Sequence, residues 1–254
     1  MFRPRVIPVL LLKNNGLVKS MRFKNYRYIG DPINAVRLFN DLGADEIVFL
    51  DITANKQHRS ISPDFVKLVG DEANMPFSVG GGIRTIEEIR QILAAGAEKV
   101  ILNTCAAENP VFVKEAADEF GRSTIVVSVD VKKNLLGKEL TYIYSGRKAT
   151  RYEPVIFAGL MEEMGAGEII INSIENDGMM QGYDISLIRQ ISQVIRIPVV
   201  ALGGAGNYSD LRKAVSEGFA SASAAGSIFV FHGKRNAVLI NYPDKKELNS
   251  IFSS

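Results

Sequence analysis

Pro76-Phe77-Ser78-Val79-Gly80-Gly81-Gly82-Ile83-Arg84 is the stretch from which the rest of the chain can be placed. A short apolar run stops at three glycines and a helical pattern starts directly afterwards at Ile86, which reads as a strand, a tight loop and a helix N-terminus. Glycines there let backbone N–H groups approach a ligand with no Cβ in the way, and the helix dipole favours an anion. Phosphate suits that chemistry. A Gly-rich turn between strand and helix is often only a turn, but this one has an echo in Pro198 to Gly206, P-V-V-A-L-G-G-A-G.

The echo has a fixed spacing. Gly81 and Gly203 stand 122 residues apart, and the same offset carries Gly43-Ala44 and Glu46-Ile47 onto Gly165-Ala166 and Glu168-Ile169, Ile52 onto Ile174, and Gly96 onto Gly218. Solenoid repeats run about 20 to 50 residues, so a repeat this long reads as two fused half-domains inside one fold. The halves divide near residues 1–121 and 122–254 of a single domain spanning 1–254.

With 254 residues, the chain matches a single α/β barrel, which is typically about 250 residues long. Basic residues are scattered and the net charge is +2, so no nucleic-acid footprint is expected. The opening M-F-R-P-R-V-I-P lacks an apolar signal core, and no apolar stretch approaches the roughly 18 residues of a membrane span. One cysteine, Cys105, excludes an internal disulfide and fits a reducing cytoplasm; it reads as a small apolar side chain after the fourth strand rather than a nucleophile. His58 and His232 are the only histidines, too few for a histidine-rich site, so neither a metal nor a cofactor is expected.

In order, Val6–Leu12 reads as the first buried strand, followed by the turn Lys13–Gly16 and a longer loop, Leu17–Tyr28, carrying Lys19. Asp31-Pro32 caps a helix to Leu42, and Glu46–Asp51 is the second strand. Ser62-Pro63 opens the second helix, Ile86–Ala95 is the third, and Lys99–Asn103 is strand four. Asn109-Pro110 caps the fourth helix, and Thr124–Val131 is a long β-branched fifth strand. Leu135–Arg147 looks like a hairpin inserted in the loop after it, matching the loop after strand one. Val155–Met164, Glu168–Asn172, Ile185–Val194 and Val199–Leu202 alternate helix and strand. Ser209 opens helix seven, Ala220–Ala225 is strand eight, and Gly226-Ser227 begins a short extra turn before the tail. Eight strands alternating with helices in two matching halves predict a parallel (β/α)₈ barrel; a doubly wound open sheet would want the G-x-G-x-x-G fingerprint, which is absent.

Barrels of this kind carry function at the C-terminal strand ends. This sequence places there Leu11 with Lys19, Asp51, Gly80 to Gly82, Asn103 with Thr104, Asp130, Asn172 with Asp177, Gly203 to Gly206, and Ala225 to Ser227. Gly82, Asn103 and Thr104 form one candidate anion site, and Gly204, Gly226 and Ser227 a second on the opposite side of the mouth, which suits a long bisphosphorylated or otherwise dianionic ligand. Asp130, a carboxylate inside an apolar run, reads as a general acid or base facing a polar mouth. Setting the first strand over the fifth puts Leu11 opposite it, so a paired-carboxylate mechanism cannot operate there.

The motifs Arg5-Val6-Ile7-Pro8, Phe49 to Ala54, Val79 to Ile83, Asn103-Thr104 with Glu108-Asn109-Pro110, Ile143 to Gly146, Gly165 to Ile169, Asn172 to Gly178, Gly182-Tyr183-Asp184 and Gly203 to Gly206 together resemble the cyclase subunit of imidazole glycerol phosphate synthase, over nearly the full chain. The resemblance implies a (β/α)₈ barrel that takes ammonia from a glutaminase docked at its N-terminal face and closes an imidazole ring on a bisphosphorylated substrate at the other end. By the same resemblance the glycines, Asn103, Thr104 and Ser227 hold phosphates, and Asp130 is one of two catalytic aspartates, the other falling on Leu11. Val9, Ser20, Asn172 and Leu202 also depart from the family's cysteine, glycine, threonine and serine.

The start Leu10-Leu11-Leu12-Lys13 and the tail Ala224 to Pro243 look like a divergent branch associated with bacterial surface-polysaccharide genes. That branch is expected to work with a glutaminase and a separate ATP-dependent amidotransferase, turning an acetamido group of a nucleotide sugar into an acetamidino group. At the barrel's other end, Arg5, Glu46, Lys99 and Glu168 match the family's ring of charges at the ammonia entrance, and Glu98 matches an acid at the docking surface. Taken singly, each is an ordinary solvated strand end. Three readings follow: ammonia delivery for sugar amidination, a histidine-pathway cyclase with another group replacing the missing aspartate, and a non-catalytic barrel that docks and activates a glutaminase.

Overall fold

A computed structural model describes residues 3–233 and 235–253; Lys234, inside the tail quoted above, lies outside them, as do Met1, Phe2 and Ser254. The first half runs β1 (Arg5–Lys13), β2 (Gly16–Met21), β3 (Lys24–Gly30), α1 (Pro32–Leu42), β4 (Ile47–Asp51), α2 (Pro63–Glu72), β5 (Phe77–Gly80), α3 (Ile86–Ala94), β6 (Lys99–Leu102), α4 (Thr104–Glu108) and α5 (Pro110–Phe120). The second continues with β7 (Ile125–Lys133), β8 (Glu139–Ile143), β9 (Lys148–Ala149), α6 (Pro154–Glu163), β10 (Glu168–Ser173), α7 (Ile185–Ser192), β11 (Val199–Leu202), α8 (Tyr208–Ser216), β12 (Ala222–Ala225) and α9 (Ser227–Val230). A small hairpin, β13 (Phe231–His232) with β14 (Ala237–Val238), and α10 (Lys245–Ser253) complete the described chain.

Eight parallel strands close on themselves. The order is β1-β4-β5-β6-β7-β10-β11-β12, and the circle shuts where Arg5 to Pro8 pair with Ala222 to Ala225. The expected (β/α)₈ barrel is therefore present. Its wall separates two apolar clusters. Inward-facing Ile7, Val9, Val48, Ile101, Val126, Ile170 and Val200 fill the barrel, while Leu10, Phe49, Val79, Val127 and Ile169 face the helices. That is the period-2 alternation of a strand buried on both faces.

Local sequence explains the helix starts. Asp31 accepts from Asn34 N at 2.9 Å ahead of Pro32, and Gly43 ends α1 at φ 69°. Thr85 and Glu88 form a reciprocal capping box on α3, and Asn207 with Asp210 does the same on α8. The α8 cap is thus Asn207 rather than Ser209. Asn109 makes no capping bond, because a separate short helix, α4, runs straight into it. The segment after the first strand, read as a loop, is the hairpin β2–β3, extending β1 as β8–β9 extends β7. None of the described helices is long and apolar enough to cross a membrane.

Candidate functional site

At the C-terminal end of the barrel lies a cavity of about 500 Å³. Its floor is divided. Asn103, just past the end of β6, with Asp130 and Asn172 from β7 and β10, makes a polar arc; Leu202, Leu11 and Leu50, from β11, β1 and β4, make an apolar one. The sequence had paired Leu11 with Asp130, and both line this mouth.

Asp130 is buried and, among the described residues, has only neutral hydrogen-bond partners. Its Oδ1 accepts from Ser128 Oγ at 3.0 Å and Asn172 Nδ2 at 3.2 Å, and its Oδ2 from Asn103 Nδ2 at 3.4 Å. Burial pushes its pKa up to about 6, against the lowering effect of the Ser128 and Asn172 hydrogen bonds. A carboxyl group of that kind exchanges protons near neutrality. Ser128 escaped the sequence reading, although its position two residues before Asp130 puts it on the same face of β7.

Two cations near the mouth are already engaged. Lys19 Nζ lies 2.9 Å from Asp177 Oδ1, and Ser20 Oγ donates to Asp177 Oδ2 at 2.6 Å. Arg59 Nη1 lies 2.6 Å from Asp51 Oδ2, while Asp51 Oδ1 accepts from Thr53 N and Ala54 N. Asp51 therefore braces its own loop, and Asp177 anchors the first hairpin.

Of the two candidate anion sites, one gathers Gly82, Asn103 and Thr104. Thr104 Oγ1 accepts from Asn55 Nδ2 at 2.8 Å and from Tyr144 N at 3.2 Å, so the second hairpin reaches it. The other gathers Gly203, Gly204, Gly226 and Ser227 beside Lys19, whose Cε lies 2.9 Å from where a Cβ on Gly226 would stand. The glycines also have a packing reason. A Cβ on Gly82 would meet the Arg59 carbonyl at 2.0 Å, and one on Gly204 the Gly182 carbonyl at 2.1 Å. Above the cavity the hairpin tips touch: Phe23 Cδ2 lies 3.1 Å from the Cβ position of Gly146.

Cys105 lines the cavity wall with a thiol pushed up to about 12 by burial, which leaves it un-ionised at neutral pH.

Four charges meet at the barrel's opposite end. Arg5 contacts both Glu46 and Glu168; Lys99 lies 2.7 Å from Glu168 Oε2 and 3.5 Å from Glu46 Oε2. Each cation thus touches both acids, closing an alternating ring in which Glu46 and Glu168 are buried. Glu46 Oε1 also accepts from Ser78 Oγ at 2.7 Å. Just inside is a second, small cavity of about 10 Å³, walled by Ile7, Val9, Val48, Ile101, Val126 and Ile170. A space of that order holds about one water-sized molecule. Glu98, next to Lys99, is exposed on the outer face.

Comparison with known proteins covers almost the whole chain. The model of the histidine biosynthesis protein family matches residues 5–235. A protein of Leptospira interrogans, provisionally named imidazole glycerol phosphate synthase subunit HisF, is 40% identical over 99% of this chain and 100% of its own length. One of Pseudomonas aeruginosa, provisionally named subunit hisF2, is 43% identical over 98% of this chain and 99% of its own. The imidazole glycerol phosphate synthase subunit HisF of Alkaliphilus metalliredigens is 42% identical over 91% of this chain and 92% of its own length. With these matches and the closed eight-stranded barrel, the chain belongs to the histidine biosynthesis protein family, among the HisF-type subunits of imidazole glycerol phosphate synthase.

Proposed function

We propose that the chain is the synthase-type subunit of a glutamine amidotransferase complex, taking ammonia from a glutaminase at the charged end of its barrel and delivering it to the mouth. The observation that carries this reading is the ring of Arg5, Glu46, Lys99 and Glu168 beneath a cavity sized for one small molecule. At the mouth, Asp130 is the general acid or base, and the anion sites at Gly82, Asn103 and Thr104 and at Gly203, Gly204, Gly226 and Ser227 hold the ends of an anionic substrate. Lys19 and Asp177, bonded to each other, and Asp51, bonded within its loop, support these sites rather than contacting the substrate as free charges.

Leu11 sets the acceptor in this proposal. With an aliphatic side chain where the resemblance expects a second aspartate, the mouth is better suited to passing nitrogen to a nucleotide-activated acetamido sugar, with an ATP-dependent amidotransferase as further partner. A second reading is favoured by the relatives' names, which are those of a histidine-pathway synthase subunit: ring closure on the bisphosphate, with Asp130 working alone.

Co-purification with a glutaminase tests the proposal. A stable complex with raised glutamine hydrolysis is expected; Glu98→Lys should weaken association, and Lys99→Ala should leave it intact but release ammonia to solvent. Failure to associate at about micromolar concentration, an affinity near 8 kcal/mol, with hydrolysis indifferent to the barrel, overturns it. Supplying the complex with either acceptor then separates the two readings.

A further inference from the structure

Asn172 presents an unusual buried amide. Its Nδ2 donates to Asp130 Oδ1 at 3.2 Å, yet its Oδ1 has no hydrogen-bond partner, and only 6% of the residue is exposed. A buried acceptor left unpaired is costly and asks for an explanation. The oxygen sits in the corner beside Gly203. It and the Ser173 carbonyl each lie 2.7 Å from the point where a Cβ on Gly203 would stand, and Ser173 N lies 3.0 Å from it.

Turning the amide over exchanges the two atoms. Nδ2 would then take the place beside Gly203, and Oδ1 would face Asp130. That second contact is favourable only if Asp130 carries a proton to donate. N and O of an amide occupy nearly the same positions, so the turn needs no repacking of the neighbours.

We propose that Asn172 is a positioning residue for Asp130, its side-chain amide turning over when the carboxyl group gains a proton and back when the proton leaves. The step is a simple transfer. The Asp130 O–H bond breaks as the proton passes to a basic atom in the mouth, and the carboxylate left behind takes a hydrogen bond from Nδ2; the return runs in reverse. Both states of the acid then have a partner, which suits a group that must both give and take a proton.

The surroundings leave this task to Asn172. Among the described residues no cation pairs with Asp130: across the mouth Lys19 is bound to Asp177 and Arg59 to Asp51. Leu11, Leu50 and Leu202 carry no charge, and Lys132 on the same strand lies over the Tyr142 ring at 5.8 Å. Arg84, Glu108 and His58 line the rest of the cavity. Burial, which lifts the Asp130 pKa to about 6, brings both protonation states within reach near neutrality. The inference holds for either acceptor.

Neutron diffraction from deuterated crystals of the whole chain, at about pH 4.5 and about pH 8, tests it directly, since those conditions bracket the carboxyl titration. Nδ2 is expected toward Asp130 at the higher pH and Oδ1 toward it at the lower. The same orientation at both overturns the proposal. Carbon-13 titration of Asp130 in Asn172→Leu provides a second readout. If the amide serves both states, its removal moves the midpoint by less than about half a unit; if Asn172 only donates to the carboxylate, the midpoint rises by more, and the proposal fails.

Discussion

Lys19 Nζ sits 2.9 Å from Asp177 Oδ1 with both side chains buried, tying the first hairpin to the loop after β10. Ser20 and the Phe23 backbone N–H donate to the other oxygen of the same carboxylate. One acid thereby fixes a whole hairpin.

That arrangement predicts a stability cost for removing either partner. Lys19→Met leaves Asp177 buried without its cation, and breaking a buried pair this way costs about 3–5 kcal/mol. Urea unfolding should show the loss, and Lys19→Met/Asp177→Leu should recover part of it. An unchanged midpoint for Lys19→Met would mean the lysine is free to serve a ligand.

Leu11 predicts a failure of chemistry. Purified protein given ammonia and the histidine-pathway bisphosphate should form little imidazole product, because general acid–base assistance is worth about 10²- to 10⁴-fold and one of the two groups is aliphatic. Leu11→Asp should restore only part of the rate, since Val9, Ser20, Asn172 and Leu202 also differ from the expected mouth. Turnover by the unmodified chain at a rate typical of such synthases would sink the prediction.

Two glycines carry a steric prediction. Gly204→Ala puts a Cβ 2.1 Å from the Gly182 carbonyl at φ 122°, and Gly82→Ala one 2.0 Å from the Arg59 carbonyl at φ 67°. Each should cost roughly 3 kcal/mol or more and abolish anion binding on its side. Gly121→Ala, also at positive φ but with open space around its Cβ position, should cost less, about 1–3 kcal/mol from backbone strain alone, and leave anion binding intact. Thermal denaturation with phosphate titration separates the three; equal losses would show that backbone strain, not the carbonyl contact, decides.

Asp130 gives a pH prediction. Its folded pKa, about 6, is raised from 3.8, so the folded protein holds the proton more tightly than the unfolded chain. Below the unfolded pKa burial of the protonated acid costs nothing extra; as pH rises through the window between the two values, stability falls. About two units correspond to on the order of 3 kcal/mol. Relative to Asp130→Asn, the unmodified protein should lose stability between about pH 4 and 6, and a flat difference would refute the shift.

How far the sequence could be read depended on the range of the interaction. Asp31-Pro32, Ser62-Pro63 and the glycines at 43, 81 and 203 act on neighbours a few residues away, so strand, turn and helix could be placed from them, and the repeat then implied closure. The charge ring was legible only through resemblance, because Arg5 meets Glu168 across the barrel. Nothing local marks Lys19 as a partner of Asp177, or Tyr144 as a neighbour of Thr104. Helix α4 was missed because five residues show no period. Asn172 was seen as a mouth residue, but its unpaired oxygen depends on where Gly203 and Ser173 stand.

The divided floor of the mouth has a consequence for selectivity. Asn103, Asp130 and Asn172 occupy one side, and Leu11, Leu50 and Leu202 the other, so rotating a ligand by half a turn exchanges its wet edge for its greasy one. A molecule carrying N–H or C=O groups along one edge and a methyl or ring edge opposite has a single way to lie on such a floor. Under the function proposed above, such a molecule would turn the same edge toward Asp130 at every encounter, and the floor itself would select the reacting atom.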